Sequence, residues 1–79
     1  MTFYGLSVYD RCKKLLEIMQ KKNINEINVN DLAILIAQYI GSSKFYKTVR
    51  NYIDYMVNFK MITLIEKDKY KINYDVLND

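Results

Sequence analysis

The stretch GSSKFYKTVRNYIDYMVNFKMI, residues 41–62, decides the fold predicted for this chain. Its apolar residues recur at intervals of three and four, so they share one face of a helix while the basic residues share the other. The apolar positions are Phe45, Val49, Tyr52, Ile53, Met56 and Phe59. Ser42 or Ser43 can cap its start. The pattern predicts an amphipathic helix that ends just before Met61-Ile62.

After this helix the apolar period changes to two. KYKINY, residues 69–74, alternates lysine and asparagine with apolar residues, and TLIEK, residues 63–67, supplies a partner strand. These patterns predict a hairpin that turns near Asp68 and Lys69. The hairpin residues expected to pack on the helices are Ile62, Leu64 and Ile72.

A first helix is predicted over residues 8–22. Ser7 can cap its start, with Asp10 three residues on as in a capping box, and Asn23 suits the left-handed conformation that ends many helices. Its apolar face consists of Val8, Cys12, Leu15 and Met19. Cys12 is therefore expected to be a buried apolar residue rather than a reactive thiol.

A second helix is predicted after INEINV, residues 24–29, whose alternation suits a very short strand or extended crossing. Asn30 is the expected N-cap, and Gly41 is expected to close the helix. The apolar stripe is Leu32, Leu35, Ile36, Tyr39 and Ile40. Ala33 and Ala37 leave a low spot where another helix could cross closely. We expect this helix to be mostly buried.

The composition is that of one folded domain. The chain has 79 residues, 51% hydrophobic and 27% charged, which suffices for a single modest core. We expect residues 1–6 to form an N-terminal arm, residues 7–75 the core and residues 76–79 a C-terminal tail. No apolar run approaches the roughly 18 residues of a spanning helix, and the start lacks signal-peptide features. A cytoplasmic protein without membrane contact is expected.

The composition also bears on chemistry. Histidine is absent and Cys12 is the single cysteine, so the usual ligands of a zinc site are too few. No arrangement of nucleophile, base and orienting group is visible. We therefore expect a binding protein rather than an enzyme, with no metal, cofactor or small-molecule ligand. The net charge of +3 favours an anionic partner.

The predicted order of helix, extended segment, helix, helix and hairpin over residues 7–75 resembles the winged helix-turn-helix family. There the third helix often reads Thr-Val-x-x-x-Leu-x-x-Leu, and Gly-Leu-Ile follows. The corresponding residues here are Thr48-Val49, Ile53, Met56 and Lys60-Met61-Ile62. The resemblance implies an α+β fold, mostly helical, with three helices followed by a two-stranded β-hairpin wing.

One departure from the family pattern concerns the end of the third helix. Lys60 stands where the family commonly has glycine, and a left-handed lysine costs about 1 kcal/mol. Asn58 is the alternative position for the break.

The resemblance implies a sequence-specific double-stranded DNA-binding protein, a small transcriptional regulator of prokaryotic, plasmid or viral type. In the family the third helix commonly enters the major groove and the wing touches the DNA backbone or minor groove. The residues implied to face DNA are Lys44, Tyr46, Lys47, Arg50 and Asn51 on the helix and Lys67, Lys69 and Lys71 on the wing. Arg50 and Asn51 can make paired hydrogen bonds to guanine and adenine. Asp54 would repel phosphate, so contact is expected N-terminal to it.

Two alternatives stay open for the third helix. The first is that its polar side is simply a solvated face, because any amphipathic helix has polar residues opposite its apolar stripe. A winged-helix module can also bind protein within a transcription or replication assembly, and an apolar patch such as Tyr55 and Val57 would favour that function. DNA binding instead requires the helix cations to share a continuous positive surface with the wing.

The tyrosines and the chain ends complete the predictions. Four tyrosines lie on apolar faces and are expected to be structural, namely Tyr39, Tyr52, Tyr70 and Tyr74. We expect a homodimer whose interface consists of apolar residues near the termini and which presents two recognition helices to DNA. They are Phe3, Tyr4, Leu6, Val76 and Leu77. The alternative is that this arm covers the chain's own core.

Overall fold

The structure, a computed structural model, describes residues 7–40 and 46–78, and the side chains within these ranges except those of residues 46–48. The elements are α1 (Val8–Lys21), β1 (Glu26–Asn28), α2 (Val29–Tyr39), α3 (Tyr46–Asn58), β2 (Ile62–Glu66), β3 (Lys69–Ile72) and a 3-10 helix (Tyr74–Asn78). The predicted α+β class, mostly helical, is confirmed.

The sheet of the described residues has three antiparallel strands in the order β1-β3-β2. The predicted hairpin is present as β2 and β3, and the sheet has three strands rather than two because β1 pairs with β3. Ile27 of β1 lies opposite Tyr70 of β3, which in turn lies opposite Leu64 of β2. The hairpin turns at Lys67-Asp68, one residue earlier than predicted. A register shift at residues 64–66 marks a bulge in β2.

One hydrophobic core joins the three helices to one face of this sheet. Its buried residues are Cys12, Leu15, Leu16, Met19, Ile27, Leu32, Ile36, Tyr52, Ile53, Met56, Met61, Ile62 and Ile72. The predicted burial of Ile62 and Ile72 is confirmed. The end of α3 and the start of β2 both contribute side chains to this cluster. Because burying an aliphatic side chain of this size contributes about 1.5 to 3 kcal/mol, the cluster holds the two elements together.

The ends of α1 behave as predicted. Ser7 caps the start, where its hydroxyl accepts a hydrogen bond from the Asp10 backbone N–H at 3.1 Å. The helix ends at Lys21, and Asn23 adopts the predicted left-handed conformation with φ of 59°. The N–H groups of Asn23 and Ile24 donate to carbonyls of the last turn, as in a Schellman motif.

α3 ends in the same way, but at a lysine. Lys60 has φ of 62°, and its N–H donates to the Val57 carbonyl at 3.0 Å. Met61 N–H donates to the Met56 carbonyl at 2.9 Å, and both methionine side chains are fully buried. The break is therefore at Lys60 and not at Asn58, because the motif and this apolar contact outweigh the strain of a left-handed lysine.

The start of α2 differs from the prediction. The N-cap is Asn28 rather than Asn30, and its side-chain oxygen accepts from the Asp31 N–H at 2.8 Å. The Val29 N–H donates to the Asp68 carbonyl in the hairpin turn, also at 2.8 Å. This contact with the hairpin satisfies a backbone donor of the first turn, so the helix starts at Val29.

α2 is also less buried than predicted. Only Leu32 and Ile36 are fully buried within it, and Ile34 is 61% exposed. The two alanines expected to admit a crossing helix line an open groove between α2 and α3. α2 ends at Tyr39 with Ile40 as C-cap. Gly41 and the predicted serine caps of α3 lie outside the described residues.

The chain continues past β3 into the 3-10 helix, which packs against α1. Val76 and Leu77 are half-buried against the core there. The expected boundary between core and tail, at residues 75 and 76, thus lies inside an ordered element. The Tyr74 hydroxyl donates to the Ile24 carbonyl, which ties this element to the loop after α1.

Candidate nucleic-acid interface

The solvent side of α3 carries the candidate base-reading residues. Arg50, Asn51 and Asp54 are exposed, whereas Tyr52 and Ile53 between them are buried. The predicted amphipathic helix is confirmed over these residues. Lys44 lies outside the described residues, as do Phe45 and the side chains of Tyr46 and Lys47.

An open groove of about 920 Å³ lies between α2, α3 and the hairpin turn. Its lining is mostly apolar and comprises Val29, Asn30, Ala33, Ile34, Ala37, Val49, Arg50, Ile53, Asp54, Asp68 and Tyr70. Arg50 is the cation among these lining residues, and Asp54 and Asp68 are the acidic residues among them. Because opposite charges attract, phosphate is favoured near Arg50 and disfavoured where the two carboxylates lie.

The wing lysines lie away from this groove. Side chains alternate between the two faces of a strand, so Lys69 and Lys71 lie on the face opposite Tyr70, which lines the groove. Lys71 is opposite Glu26 of β1, and the Lys69 ammonium lies 3.2 Å from the Glu26 carboxylate. Lys67 is exposed in the turn. The outer face of the sheet is therefore mixed in charge rather than basic.

The described part of the surface thus does not join Arg50 to the wing lysines. Asp68 of the hairpin turn lines the same groove as Arg50, a placement that the sequence pattern did not indicate. Asp68 and Tyr70 are the groove residues that sequence reasoning missed. The small pair Ala33 and Ala37 was the signal that could have located the groove.

Several large apolar side chains are exposed among the described residues. They include Tyr55 and Val57 on α3, Ile34 on α2, and Leu64 and Ile65 on β2. The prediction that Leu64 packs on the helices is wrong, since it is 57% exposed. Along the hairpin, the buried core includes the pair Ile62 and Ile72. Leu64 lies two residues closer to the turn and is not part of this core.

The tyrosines expected to be structural are placed as predicted. Tyr52 is buried, and its hydroxyl accepts a hydrogen bond from the Arg11 guanidinium at 2.9 Å. Tyr39, Tyr70 and Tyr74 are half-buried against the core. These rings fill volume between elements, which leaves them poorly placed to stack on bases.

Cys12 is fully buried in α1, as predicted. Burial raises the pKa of the Cys12 thiol from 9.0 to about 12. A thiol with this pKa holds its proton at neutral pH and is a poor nucleophile and metal ligand. Cys12 is therefore part of the core.

No three His, Cys, Asp or Glu residues within 7–40 and 46–78 are grouped so that they could hold a metal ion. None of the helices in these ranges has the length and apolar content needed to cross a bilayer. Comparison with protein-family models, curated proteins and solved structures finds no match for this chain.

Proposed function

We propose that this chain is a winged helix-turn-helix protein that binds double-stranded DNA in a sequence-specific manner and regulates transcription by occupying a promoter or operator. The observation that carries the proposal is the exposed pair Arg50 and Asn51 on the solvent side of α3. Arginine and asparagine make paired hydrogen bonds to guanine and adenine in the major groove.

Two further properties support this proposal. The order of α1, β1, α2, α3 and the β2–β3 hairpin matches the order on which the resemblance to winged helices is based. The net charge of +3 favours a polyanionic partner. Asp54 and Asp68 limit where DNA can approach, so phosphates are expected beside the first turns of α3 and at Lys67.

The proposal is tested by two substitutions on α3 with different expected effects. Arg50→Ala should lose about 1 to 3 kcal/mol of discrimination between cognate and scrambled duplexes, because a base contact is lost. Lys47→Ala should weaken binding to both duplexes alike and reduce the salt dependence, because a phosphate contact is lost. The measurement is fluorescence anisotropy across a salt series, after selection of a binding site from random duplexes.

Lys14→Ala is the matched control, since it removes an exposed cation from α1. It should leave discrimination unchanged. If Arg50→Ala and Lys47→Ala both bind DNA as the wild type does at low salt, α3 is not the reading element and the proposal fails.

The groove favours a second candidate function, a protein-binding module in a transcription or replication assembly. Its mostly apolar lining and the exposed Ile34 at its edge suit an apolar segment of a partner protein. Ile34→Lys separates the candidates. It adds a cation and should not weaken DNA binding, whereas it places a charge in the surface that a partner protein would cover.

A further inference from the structure

Ile34 of α2 is shared by two depressions of the surface. On one side it lines the groove between α2, α3 and the hairpin turn. On the other side it lines a smaller open depression of about 310 Å³ between α2 and β1. The lining of the smaller depression consists of Ile24, Glu26, Ile27, Asp31, Ile34 and Leu35. The two depressions therefore adjoin at Ile34 and together form the α2 surface.

The α2 surface is mostly apolar. Ile34 is 61% exposed, the largest exposed fraction among the large apolar side chains of the described ranges. Leu35 and Ile24 beside it are half-buried. A single exposed isoleucine is ordinary, but an exposed isoleucine between two adjoining apolar depressions is typical of a surface that a partner covers.

The charged residues of this surface are mainly acidic, although the chain as a whole has a net charge of +3. Glu26 and Asp31 line the smaller depression, and none of its lining residues is basic. Glu26 has a cation of its own, since it pairs with Lys69 at 3.2 Å. The Asp31 carboxylate accepts a hydrogen bond from the Asn28 amide and has no ion-pair partner among the described residues.

Asp31 and Ile34 are three residues apart on α2, so their side chains are neighbours on one side of the helix. An exposed apolar side chain thus lies beside a carboxylate whose charge is not neutralised. Asp54 and Asp68 line the groove on the other side of Ile34. A ligand that covers Ile34 therefore meets negative charge next to its apolar contact.

This charge disfavours two possible occupants. The phosphates of a nucleic acid would be repelled by the acidic residues. A second copy that packs its own α2 surface against this one about a twofold axis would bring Asp31 of both copies to the same interface, and like charges oppose association. A segment with apolar and basic side chains is favoured on both counts.

We propose that the α2 surface binds a segment of a partner protein in which apolar residues are flanked by lysine or arginine. The apolar side chains cover Ile34 and enter the depressions beside it, and a cation pairs with Asp31. The proposal rests on the second candidate function, protein binding, and gives the chemistry of the partner. It does not depend on DNA binding.

The first experiment selects ligands from a displayed library of random peptides of about 12 residues, with the full chain as the target. Counter-selection against Ile34→Lys retains the peptides that bind at the α2 surface. These peptides should share apolar residues flanked by lysine or arginine.

A synthetic copy of one selected peptide is then titrated by fluorescence anisotropy. Ile34→Lys should raise its dissociation constant by about tenfold or more, because the substitution places an ammonium group where the peptide's apolar and basic side chains bind. Leu64→Lys is the matched control, since it changes a similarly exposed apolar residue on β2, and it should leave the dissociation constant unchanged.

A charge exchange keeps the test independent of any folding defect. Asp31→Lys should weaken binding of the selected peptide at low salt by about tenfold. A peptide in which glutamate replaces the basic residues should bind Asp31→Lys more tightly than it binds the wild type, which a misfolded variant could not do. Glu17→Lys is the matched control on the exposed side of α1 and should leave binding of both peptides unchanged.

Two results would overturn the proposal. Selected peptides that distinguish the wild type from Ile34→Lys but are acidic or uncharged would contradict the partner chemistry and leave protein binding standing. A selection that yields no peptide with this discrimination would overturn protein binding at the α2 surface as well. Neither result changes the expectations for Arg50→Ala and Lys47→Ala, which test DNA binding.

Discussion

At the scale of single residues, Ile62 and Leu64 stand two positions apart on one strand and yet have different surroundings. Ile62 is 1% exposed and lies opposite the buried Ile72, whereas Leu64 lies opposite the half-buried Tyr70. Removing a side chain should therefore cost stability at residue 62 and little at exposed positions nearby.

We expect Ile62→Ala to lower the free energy of unfolding by about 2 to 5 kcal/mol, because it leaves a cavity between α3 and the sheet. Ile65→Ala, at an exposed position of the same strand, should change it by about 0.5 kcal/mol or less. Urea denaturation at a concentration too low for self-association measures both. Equal midpoints for Ile62→Ala and the wild type would contradict the packing of β2.

Cys12 gives a prediction on pH. Because burial raises the thiol pKa to about 12, the folded chain holds this proton more tightly than the unfolded chain does. The stability linked to it is present below the unfolded pKa of 9.0 and is lost as the pH rises toward 12. Iodoacetamide at about pH 8.5 should label the folded chain far more slowly than the urea-unfolded chain. Equal labelling rates would show that Cys12 is accessible.

At the scale of elements, the first turn of α2 shows how the hairpin determines a helix start. Asn28 and Asn30 are both exposed and both suited to capping. It is the Asn28 side-chain oxygen that accepts a hydrogen bond from the Asp31 N–H. The Asp68 carbonyl accepts a hydrogen bond from the Val29 N–H, in the same first turn of α2. The helix start and the hairpin turn therefore stabilise each other.

Substitution of these two asparagines should separate the capping residue from its neighbour. Asn28→Ala should cost about 1 kcal/mol because the Asp31 N–H loses its partner. Asn30→Ala should change the free energy of unfolding by about 0.5 kcal/mol or less, since it lies inside the helix and alanine is the best helix former. Thermal or urea unfolding compares them. A larger loss of stability for Asn30→Ala than for Asn28→Ala would show that Asn30 is the N-cap, as the sequence predicts.

At the scale of the whole molecule, function depends on how charges on different elements combine. Asp68 of the hairpin lines the same groove as Arg50 and Asp54 of α3, although the sequence separates it from them. The net charge of +3 favours an anionic partner for the chain as a whole, while the potential at this surface is determined by the residues that line it.

Asp54→Asn should increase DNA affinity if α3 faces the duplex, because it removes a negative charge beside the phosphates. Glu17→Gln is the matched control, since it changes the net charge by the same amount on the exposed side of α1. Anisotropy titrations at low salt should show a larger gain for Asp54→Asn than for Glu17→Gln. Equal gains would mean that α3 does not face DNA.

The order and type of the main elements could be predicted from the sequence because apolar spacing is a local property. The 3.6-residue period indicated α1 and α3, and the two-residue period indicated the hairpin. The Ser7 cap and the left-handed Asn23 follow from residues next to each other in the chain. The burial of Ile62 could be predicted because it is an apolar residue where the short segment after α3 joins β2.

The tertiary structure alone decided the features that depend on residues far apart in the chain. The Asp68 carbonyl contributes to the start of α2, and pairing with β3 turns the short segment at Glu26–Asn28 into a third strand. The same pairing places Lys69 beside Glu26 and makes β3 the central strand of the sheet. Alternation along a strand shows which residues share a face, but only the packing of helices against the sheet determines how far the core extends. That is why Ile62 is covered and Leu64 is exposed.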